Sequence, residues 1–291
     1  VQFKIIFRGW IKNKTYTLIS LISLITGITC CTLLVTFVIH EYNIAHSILN
    51  SKNSYLVQEQ REQDATPSEA LISGKSGVQL KNTYPEVKAY CVLRNEHLFL
   101  SEESKESDYM YAYSVTPSFT EFFKLPLLSG DLHKTLLSSN EIAVTRSFAL
   151  QYFGIVNPIG KSITLGHSIR HFDGKENTYK TIFKSHTITT VIDDSQKSFL
   201  HYGILRGLSD EEVSQITGFS FYTFIELTPE VTVQKFLAKI NDRNEGQFED
   251  KTIYLKPAKE LYFSKTRHLY ERGLIFKRDP SFVYLGMGVA I

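Results

Sequence analysis

The tripeptide Gly160-Lys161-Ser162 is the part of the chain that most resembles a catalytic motif, because phosphate-binding loops also end in Gly-Lys-Ser or Gly-Lys-Thr. Those loops place four residues between their two glycines, whereas five residues separate Gly154 from Gly160. Pro158 also removes one backbone N–H donor from the segment that would hold the phosphates. The pattern therefore predicts a turn between a helix and a strand, and we expect neither nucleotide binding nor another cofactor.

His167 and His171 have the four-residue spacing of two zinc ligands on one helix. Their surroundings are rich in Gly, Asn, Asp and Lys and predict a hairpin, and no third ligand follows in a suitable pattern. The acidic pair Asp193-Asp194 would point to opposite faces of a strand. Neither a nucleophile elbow nor an H-E-x-x-H motif occurs. We therefore expect no metal site and no enzymatic activity.

The composition excludes several classes of protein. The 291 residues include 32 Lys and Arg against 30 Asp and Glu, and 43% are hydrophobic, which is the balance of a folded protein rather than a nucleic-acid binder. Three cysteines cannot form a disulfide scaffold. Cys30 and Cys31 lie in a long apolar run, so Cys91 has no partner outside it and is expected to be a buried, unreactive thiol.

That apolar run indicates where in the cell the protein is located. Residues 16–39 contain no charged side chain, and as a helix they would extend about 36 Å, enough to cross a hydrocarbon core of about 30 Å. A signal peptide would have an apolar region of only about 7–15 residues and a small-residue cleavage site. We therefore predict a transmembrane helix over residues 15–40.

The residues before this helix are basic and contain no acid. The positive-inside rule therefore places the N-terminus in the cytoplasm and the following region outside the membrane. Residues 1–14 also have an amphipathic helical pattern, which predicts a cytoplasmic segment lying in the inner headgroup layer; an ordinary basic flank is the alternative. The residues expected at this interface are Lys4, Arg8, Trp10, Lys12 and Lys14.

Two further features concern helices in the membrane. Ser23, Gly27 and Cys31 form a row of small residues that would allow another helix to approach closely. Residues 282–291 are wholly apolar and then the chain stops, so we expect 280–291 to begin a second span and the chain to be a fragment of a longer protein. Basic residues before this second run would favour the cytoplasm, but long domains translocate largely regardless of charge.

Residues 41–279, between the two runs, are numerous enough to form one or two folded units. Strand patterns occur at 53–60, 87–100, 109–115, 141–145, 162–165, 186–192, 220–227 and 252–255, and helical patterns at 67–81, 117–124, 147–153 and 229–241. This alternation around a strand-rich middle predicts an α+β domain. The outer parts would form one unit, into which a second lobe of about residues 110–195 is inserted.

Three stretches resemble a known family. Residues 113–131 read YSVTPSFTEFFKLPLLSGD, residues 141–163 read EIAVTRSFALQYFGIVNPIGKSI, and the N-terminal region contains FRGWIKNKTYTLISLISLITG. Together they resemble the extracytoplasmic core domain of MacB/FtsX-type ABC transporter permeases. The chain departs from the family pattern at Thr190, where a glycine is usual.

The resemblance implies a porter-like α+β unit with an inserted second subdomain, located between the first and second spans. It also implies structural rather than catalytic roles for the motif residues, since glycines supply turns and phenylalanines pack inward. The motif residues are Pro117, Phe119, Phe122, Phe123, Gly130, Asp131, Tyr152, Phe153, Gly154, Asn157, Pro158, Gly160 and Lys161.

The leading functional hypothesis is a permease subunit of an ABC exporter or mechanotransmission system in the cytoplasmic (inner) membrane, with its central domain in the periplasm. The resemblance implies a separate ATP-binding subunit, a second permease in a homodimer or heterodimer, and a periplasmic adaptor or effector protein. A membrane-anchored sensor with an extracytoplasmic domain is the alternative, and a membrane-anchored hydrolase is disfavoured because no nucleophile–base set is visible. The cargo cannot be read from the sequence.

Overall fold

The structure is a computed structural model, and it describes residues 13–46, 49, 53–61, 71–100, 109–172, 177–195, 200–216, 219–243, 248–249 and 251–262. The chain divides into two compact units, of which one contains the residues up to Ile44 and the other contains Ala45–Lys277. Residues 1–12 of the predicted amphipathic segment, which include Lys4, Arg8, Trp10 and Lys12, lie outside the described residues, as does the predicted second span.

Helix α1 (Lys14–His46) contains the predicted transmembrane segment. Its mean hydropathy over the most apolar window is 2.3 and none of that window is buried, so the helix is long and apolar enough to cross a membrane. Its 33 residues extend about 50 Å at ~1.5 Å per residue. The helix continues six residues beyond the predicted end at residue 40, since no glycine or proline interrupts it there.

The second unit contains eleven described strands and several short helices. The strands are β1 (Ser54–Arg61), β2 (Leu71–Ser73), β3 (Val87–Phe99), β4 (Tyr109–Val115), β5 (Leu127–Ser129), β6 (Glu141–Thr145), β7 (Ser162–Phe172), β8 (Asn177–Ile192), β9 (Ile204–Gly207), β10 (Phe219–Leu227) and β11 (Lys251–Pro257). The helices are α2 (Gly74–Thr83), α3 (Phe119–Phe122), α4 (Leu132–Leu136), α5 (Arg146–Phe153), α6 (Asp210–Gln215), α7 (Val233–Arg243) and a 3-10 turn at Ala258–Glu260.

All eleven described strands join in one mixed sheet, in the order β11-β1-β10-β3-β4-β9-β6-β8-β5, with β2 added to β10 and β7 added to β3 and β8. The β4–β9 and β6–β8 pairs are parallel, and the other pairs are antiparallel. Strands from the two ends of the sequence therefore lie side by side in one half of the sheet, while the middle of the chain forms the other half. This arrangement, with helices between runs of strands, confirms the predicted α+β class.

Each half of the sheet has its own hydrophobic core. In the half that we call the base, helices α2 and α7 cover buried residues of β1, β10 and β11, including Val57, Ile225 and Ile253. In the half that we call the lobe, helix α5 covers a second cluster that draws on residues from Leu98 to Ile204. Strands β3 and β4 pair without interruption from Leu93↔Val115 to Phe99↔Tyr109, and so connect the two halves.

Strands β7 and β8 form a ribbon much longer than the hairpin expected from the sequence. Their pairing runs from Ser162↔Thr187 to Phe172↔Asn177. His167 and His171 lie on β7, where residues four apart are about 13 Å from each other, so they do not have the helical spacing on which a pair of zinc ligands would depend. Among the described residues, no group of three His, Cys, Asp or Glu side chains could hold a metal ion.

Two helix starts differ from the sequence prediction. The helix predicted from residue 67 begins at Gly74, because residues 71–73 instead form β2, which pairs with β10 and buries Ile72. The helix predicted from Pro229 begins at Val233. Before it, the Val231 N–H donates to the Thr228 carbonyl and closes a turn. Strands β5 and β9 and helices α4 and α6 were not predicted, since each has six residues or fewer.

Candidate coupling site

The Pro117–Phe123 motif closes the end of the β3–β4 ladder. The Thr116 N–H donates to the Val92 carbonyl at 3.1 Å, and the Val92 N–H donates to the Thr116 hydroxyl at 3.1 Å. The Ser118 hydroxyl donates to the Tyr90 carbonyl. These bonds fix the start of helix α3 against the centre of the base sheet.

The phenylalanines of this motif point inward, as the sequence predicted. Phe119, Phe122 and Phe123 are at most 1% exposed. The rings of Phe119 and Phe123 stack with centroids 4.8 Å apart, and Phe123 meets Phe224 of β10 edge-to-face at 5.3 Å. Because β10 lies between β1 and β3, this aromatic cluster joins the motif to the middle of the base.

Phe123 has a second role that the sequence did not indicate. Its backbone forms an isolated antiparallel bridge with Leu49, which lies three residues beyond the end of helix α1. The motif therefore holds the segment that leaves the apolar helix, before that segment enters β1 at Ser54. We call Leu49, Phe119, Phe123 and Phe224 the coupling site.

The Pro-Leu-Leu-x-Gly-Asp turn forms β5 and the start of α4 in the lobe. Gly130 has a φ of 90°, and a Cβ there would lie 2.2 Å from the Thr189 carbonyl oxygen, so only glycine fits. The Asp131 carboxylate accepts the Lys134 N–H at 3.1 Å and caps α4. Gly130 thus forms a turn and Asp131 caps a helix, and the structural rather than catalytic role of both residues stays a prediction.

Thr190, the departure from the family pattern, is accommodated by another threonine. The Thr190 hydroxyl lies 2.8 Å from the Thr135 hydroxyl. The Thr135 hydroxyl also lies 2.8 Å from the Thr189 hydroxyl, and it donates to the Asp131 carbonyl at 2.9 Å. Thr135 and Thr190 are both almost fully buried. The extra polar group therefore has a hydrogen-bond partner, which removes the penalty for burying it.

The Tyr-Phe-Gly-x-x-Asn-Pro-Ile-Gly-Lys string ends helix α5 and leads into β7. Gly154 terminates the helix with a φ of 68°, and its N–H donates to the Leu150 carbonyl at 3.0 Å. The Asn157 carboxamide oxygen accepts the Ile159 N–H at 3.3 Å, and Pro158 is buried. Gly160, with a φ of 82°, donates its N–H to the Ile188 carbonyl at 2.9 Å.

Lys161 differs from the lysine of a phosphate-binding loop. In such a loop a helix begins after the Gly-Lys-Ser sequence, so its N-terminus faces the phosphates. Here strand β7 begins at Ser162, and the helix precedes the loop. The Lys161 ammonium lies 5.4 Å from the centre of the Phe153 ring, and Phe153 packs edge-to-face on Tyr152 at 4.8 Å. This geometry is a helix–strand connection, as the sequence indicated.

A charged cluster joins the strands between the base and the lobe. On β3, the Glu96 carboxylate lies 3.2 Å from the Arg206 guanidinium of β9 and 3.5 Å from Arg94. Arg206 also lies 3.5 Å from Glu212, the residue that completes the capping box of α6 with Ser209. The cluster was not predicted, because its members are far apart in the sequence and form no motif.

The structure does not bring the predicted residues to one place. Pro117–Phe123 belongs to the base, whereas the residues from Gly130 to Lys161 belong to the lobe. Lys14 begins helix α1. Ser23, Gly27 and Cys31 lie along α1 with exposed side chains, and a Cβ on Gly27 would meet no described atom within 4 Å. Their predicted role in helix packing stays a prediction.

The model of one protein family, the MacB-like periplasmic core domain, matches residues 17–243. The chain therefore belongs to the family of proteins with a MacB-like periplasmic core domain, and the resemblance found in the sequence is confirmed. The match begins inside α1 and ends at the end of α7, so it includes most of the apolar helix and most of the second unit. A comparison with curated proteins finds no match.

Three solved structures are similar to this chain. A permease-protein domain from Porphyromonas gingivalis has 16% identity, covers 71% of this chain and 90% of its own length, and gives a TM-score of 0.49. The periplasmic region of MacB from Actinobacillus actinomycetemcomitans has 12% identity. The match covers 73% of this chain and 92% of that region, with a TM-score of 0.46. The extracellular domain of the ABC-type transporter YknZ from Gram-positive bacteria has 11% identity. The match covers 70% of this chain and 99% of that domain, with a TM-score of 0.43.

The family defines the class of protein. A MacB-like periplasmic domain attached to a helix able to span a membrane is characteristic of a permease-type protein of ABC transporters. The chain is thus a membrane-anchored component of that type, and the predicted porter-like α+β fold is confirmed.

Proposed function

We propose that this chain is the permease subunit of an ABC transporter, in which ATP hydrolysis by a separate ATP-binding subunit drives motion of the outer domain. The observation that carries the proposal is the family match over residues 17–243, which begins in the apolar helix and continues through the outer domain. The output is export of a cargo or mechanical activation of an outer partner.

The coupling site supports mechanical transmission. Helix α1 ends at His46 and Leu49 is already paired with Phe123, so only two residues separate the helix from the first backbone contact of the base. Ordering a long flexible tether would cost backbone entropy of about 1–2 kcal/mol per residue, so a short connection transmits a displacement of the helix better. The β3–β4 ladder and the Glu96–Arg206 pair then join the base to the lobe.

The proposal places the protein in the cytoplasmic membrane, with the N-terminus inside and the outer domain in the periplasm. The basic residues before α1 support this orientation. The proposed partners are the ATP-binding subunit, the surrounding lipid, a second permease in a homodimer or heterodimer, and a periplasmic adaptor or effector. The near-neutral charge gives no basis for binding nucleic acid.

The first test is assembly. The complete gene product, expressed with the proteins encoded beside it, should co-purify with an ATP-binding protein and hydrolyse Mg-ATP. Replacing the phosphate-binding lysine of that partner should abolish ATP hydrolysis without dissociating the complex. Purification instead with a signalling kinase, or with a kinase domain on the same chain, would favour the sensor alternative.

The second test is orientation. Glu230 lies in an exposed turn before α7, so Glu230→Cys should react with a membrane-impermeant maleimide on intact spheroplasts. Gln2→Cys, in the basic N-terminal segment, is the matched control and should react only after lysis. The reverse pattern would contradict the proposed topology.

A further inference from the structure

The lobe carries an exposed apolar surface that has no counterpart among the described residues of the base. Outside α1, the large hydrophobic side chains that are exposed all lie between Leu127 and Ile182, except Tyr254, in the described part of the chain. Five of them, each 38–45% exposed, form what we call the lobe patch: Leu127, Leu128, Ile155, Val156 and Ile159. Single exposed hydrophobic residues are ordinary, but a contiguous group marks an interaction surface.

The pairing of β8 places the two segments of the lobe patch next to each other. Strand β6 occupies one edge of β8 from Thr187 to Ile192. On the opposite edge, β7 ends its pairing at Thr187, Gly160 bonds to Ile188, and β5 pairs with Val191 and Ile192. The loop before β7 and strand β5 therefore follow each other along one edge. The Ser129 hydroxyl also donates to the Asn157 carboxamide at 3.3 Å and connects the two segments directly.

The backbone beneath the lobe patch is held in place. The loop is fixed by the left-handed glycines at both ends, Gly154 and Gly160, and by the buried Pro158. Each apolar side chain is also more than half buried, so none of them projects fully into solvent. A pre-formed surface of this kind suits another protein, since it binds without a further ordering cost, whereas insertion into a bilayer requires side chains that project.

The border of the lobe patch is mainly basic. Lys124 precedes β5, Lys134 follows the Gly130–Asp131 turn, and Lys161 ends the loop; all three are exposed, and no described carboxylate forms an ion pair with them. The acidic residues described at this border both accept backbone hydrogen bonds: Asp131 caps α4, and Asp193, whose N–H donates to the Pro126 carbonyl, accepts the Ser195 N–H at 3.0 Å. A second copy of the same surface would oppose lysines to lysines, which is unfavourable.

From the position, rigidity and charge of this surface, we propose that the lobe patch binds a separate protein through an aliphatic segment flanked by aspartate or glutamate residues. The apolar side chains would provide the buried area, and the lysines would select the acidic flanks and fix their register. The inference rests on the proposed permease function, for which it specifies the surface that an outer partner contacts.

A photo-crosslinker tests this proposal in the full-length protein within its membrane. Benzoylphenylalanine at Val156 should form adducts with a separate protein, and mass spectrometry should locate them in an aliphatic segment flanked by acids. Benzoylphenylalanine at Tyr254 is the matched control: it is 37% exposed on β11, at the opposite end of the sheet, and should give at least ten-fold less adduct.

Charge reversal gives the second measurement. Lys124→Glu with Lys161→Glu should reduce the Val156 adduct at least ten-fold, while Lys235→Glu with Lys259→Glu, on the exposed surface of the base, should not. Adducts with lipid, with a second copy of the chain, or with a segment lacking acids would overturn the proposal, as would equal yields from positions 156 and 254. Co-purification with the ATP-binding subunit, measured on the same samples, reports separately on the permease function.

Discussion

Leu49 and Phe123 are paired by an antiparallel backbone bridge, although 74 positions separate them (123 − 49) in the sequence. The bridge joins the segment after helix α1 to a phenylalanine whose ring packs on Phe224 in the base. A displacement of the helix end would thus reach the base at this point, before β1 begins. In the proposed permease, we expect this contact to carry the displacement, which would give the aromatic motif a mechanical role in addition to its packing role.

Lengthening the chain on either side of the bridge distinguishes coupling through the Leu49–Phe123 bridge from coupling through strand β1. A ten-residue Gly-Ser insertion after Ser47 should uncouple transport or partner activation from ATP hydrolysis, because it loosens the link between α1 and Leu49. The same insertion after Asn50 leaves that link unchanged and should retain most of the output. Both variants should reach the membrane at normal levels. Full output from both insertions would show that this connection transmits no force.

Replacing Gly130 by alanine should destabilise the outer domain more than replacing Gly154. Both have a left-handed backbone, which costs other residues about 1–2 kcal/mol. Only at Gly130 would the added Cβ also meet a backbone oxygen, at 2.2 Å, whereas at Gly154 it meets nothing described within 4 Å. Overpacking adds about 1–3 kcal/mol, so urea unfolding should separate the two variants by about 2 kcal/mol. Equal losses would show that the Gly130 turn relaxes freely.

The ion pairs of the base should differ in their contribution to stability. Lys251 of β11 lies 2.7 Å from Glu59 of β1, and both side chains are largely buried. Lys251→Met would leave a buried carboxylate without its cation, which costs about 3 kcal/mol. Lys239→Met, which removes the more exposed pair with Glu86, should cost about 0–1 kcal/mol. Thermal unfolding of the two variants in parallel checks the difference, and a smaller loss for Lys251→Met would contradict it.

Cys91 should be inert in the folded protein. Burial in the base raises the pKa of its thiol well above the ordinary value, and the charge of Glu121 raises it further, although the contact with Thr116 acts in the opposite direction. In a Cys30→Ser, Cys31→Ser background, maleimide should label Cys91 only after unfolding.

The same raised pKa predicts how stability changes with pH. Because the folded thiol stays protonated while the unfolded thiol ionises near pH 8.5, its contribution is complete below about pH 8.5 and declines as the pH rises further. Denaturation midpoints measured at pH 7, 9 and 10 should therefore fall, and less so for Cys91→Ala. Identical pH dependence of the two proteins would refute this assignment.

The outer domain should bind no ATP. The loop at Gly160-Lys161-Ser162 leads into a strand, and the Lys161 ammonium lies over the Phe153 ring. Calorimetry of the full-length permease without its ATP-binding subunit should therefore show no heat on addition of Mg-ATP. Micromolar binding that Lys161→Ala abolishes would reverse this conclusion.

The sequence predicted well the elements that have a periodic apolar pattern, but it underestimated the length of the β7–β8 ribbon and missed most of the short elements. The apolar helix and strands β1, β3, β4 and β10 have periodic patterns that one core face imposes on many residues. Strand β9 has four residues, and its position between β4 and β6 depends on partners that are distant in the chain. The residue pattern within a short segment gives no information about pairing with strands that are distant in the chain.

The candidate sites show the same division. The inward phenylalanines and the turn glycines could be predicted, because each depends on a local backbone shape or on a local motif. The Leu49–Phe123 bridge could not be predicted, because its two residues are distant in the sequence. The position of the lobe patch could not be predicted either, because it depends on which strands pair with the two edges of β8. The exposed aliphatic residues of the loop also gave no signal, as hydrophobic residues in a sequence normally predict a core.

The threonines of helix α1 have a consequence for how such a helix can move. Thr26, Thr29, Thr32 and Thr36 each donate their hydroxyl to the carbonyl four residues earlier, at 2.8 Å. Each hydroxyl proton is thus satisfied within the helix, and what the side chain presents to the lipid is mainly its methyl group. Rotation of the helix about its axis, as the proposed function could require, would therefore expose no unsatisfied hydroxyl donor to hydrocarbon. The solvation of these hydroxyls sets no preferred orientation of the helix about its axis.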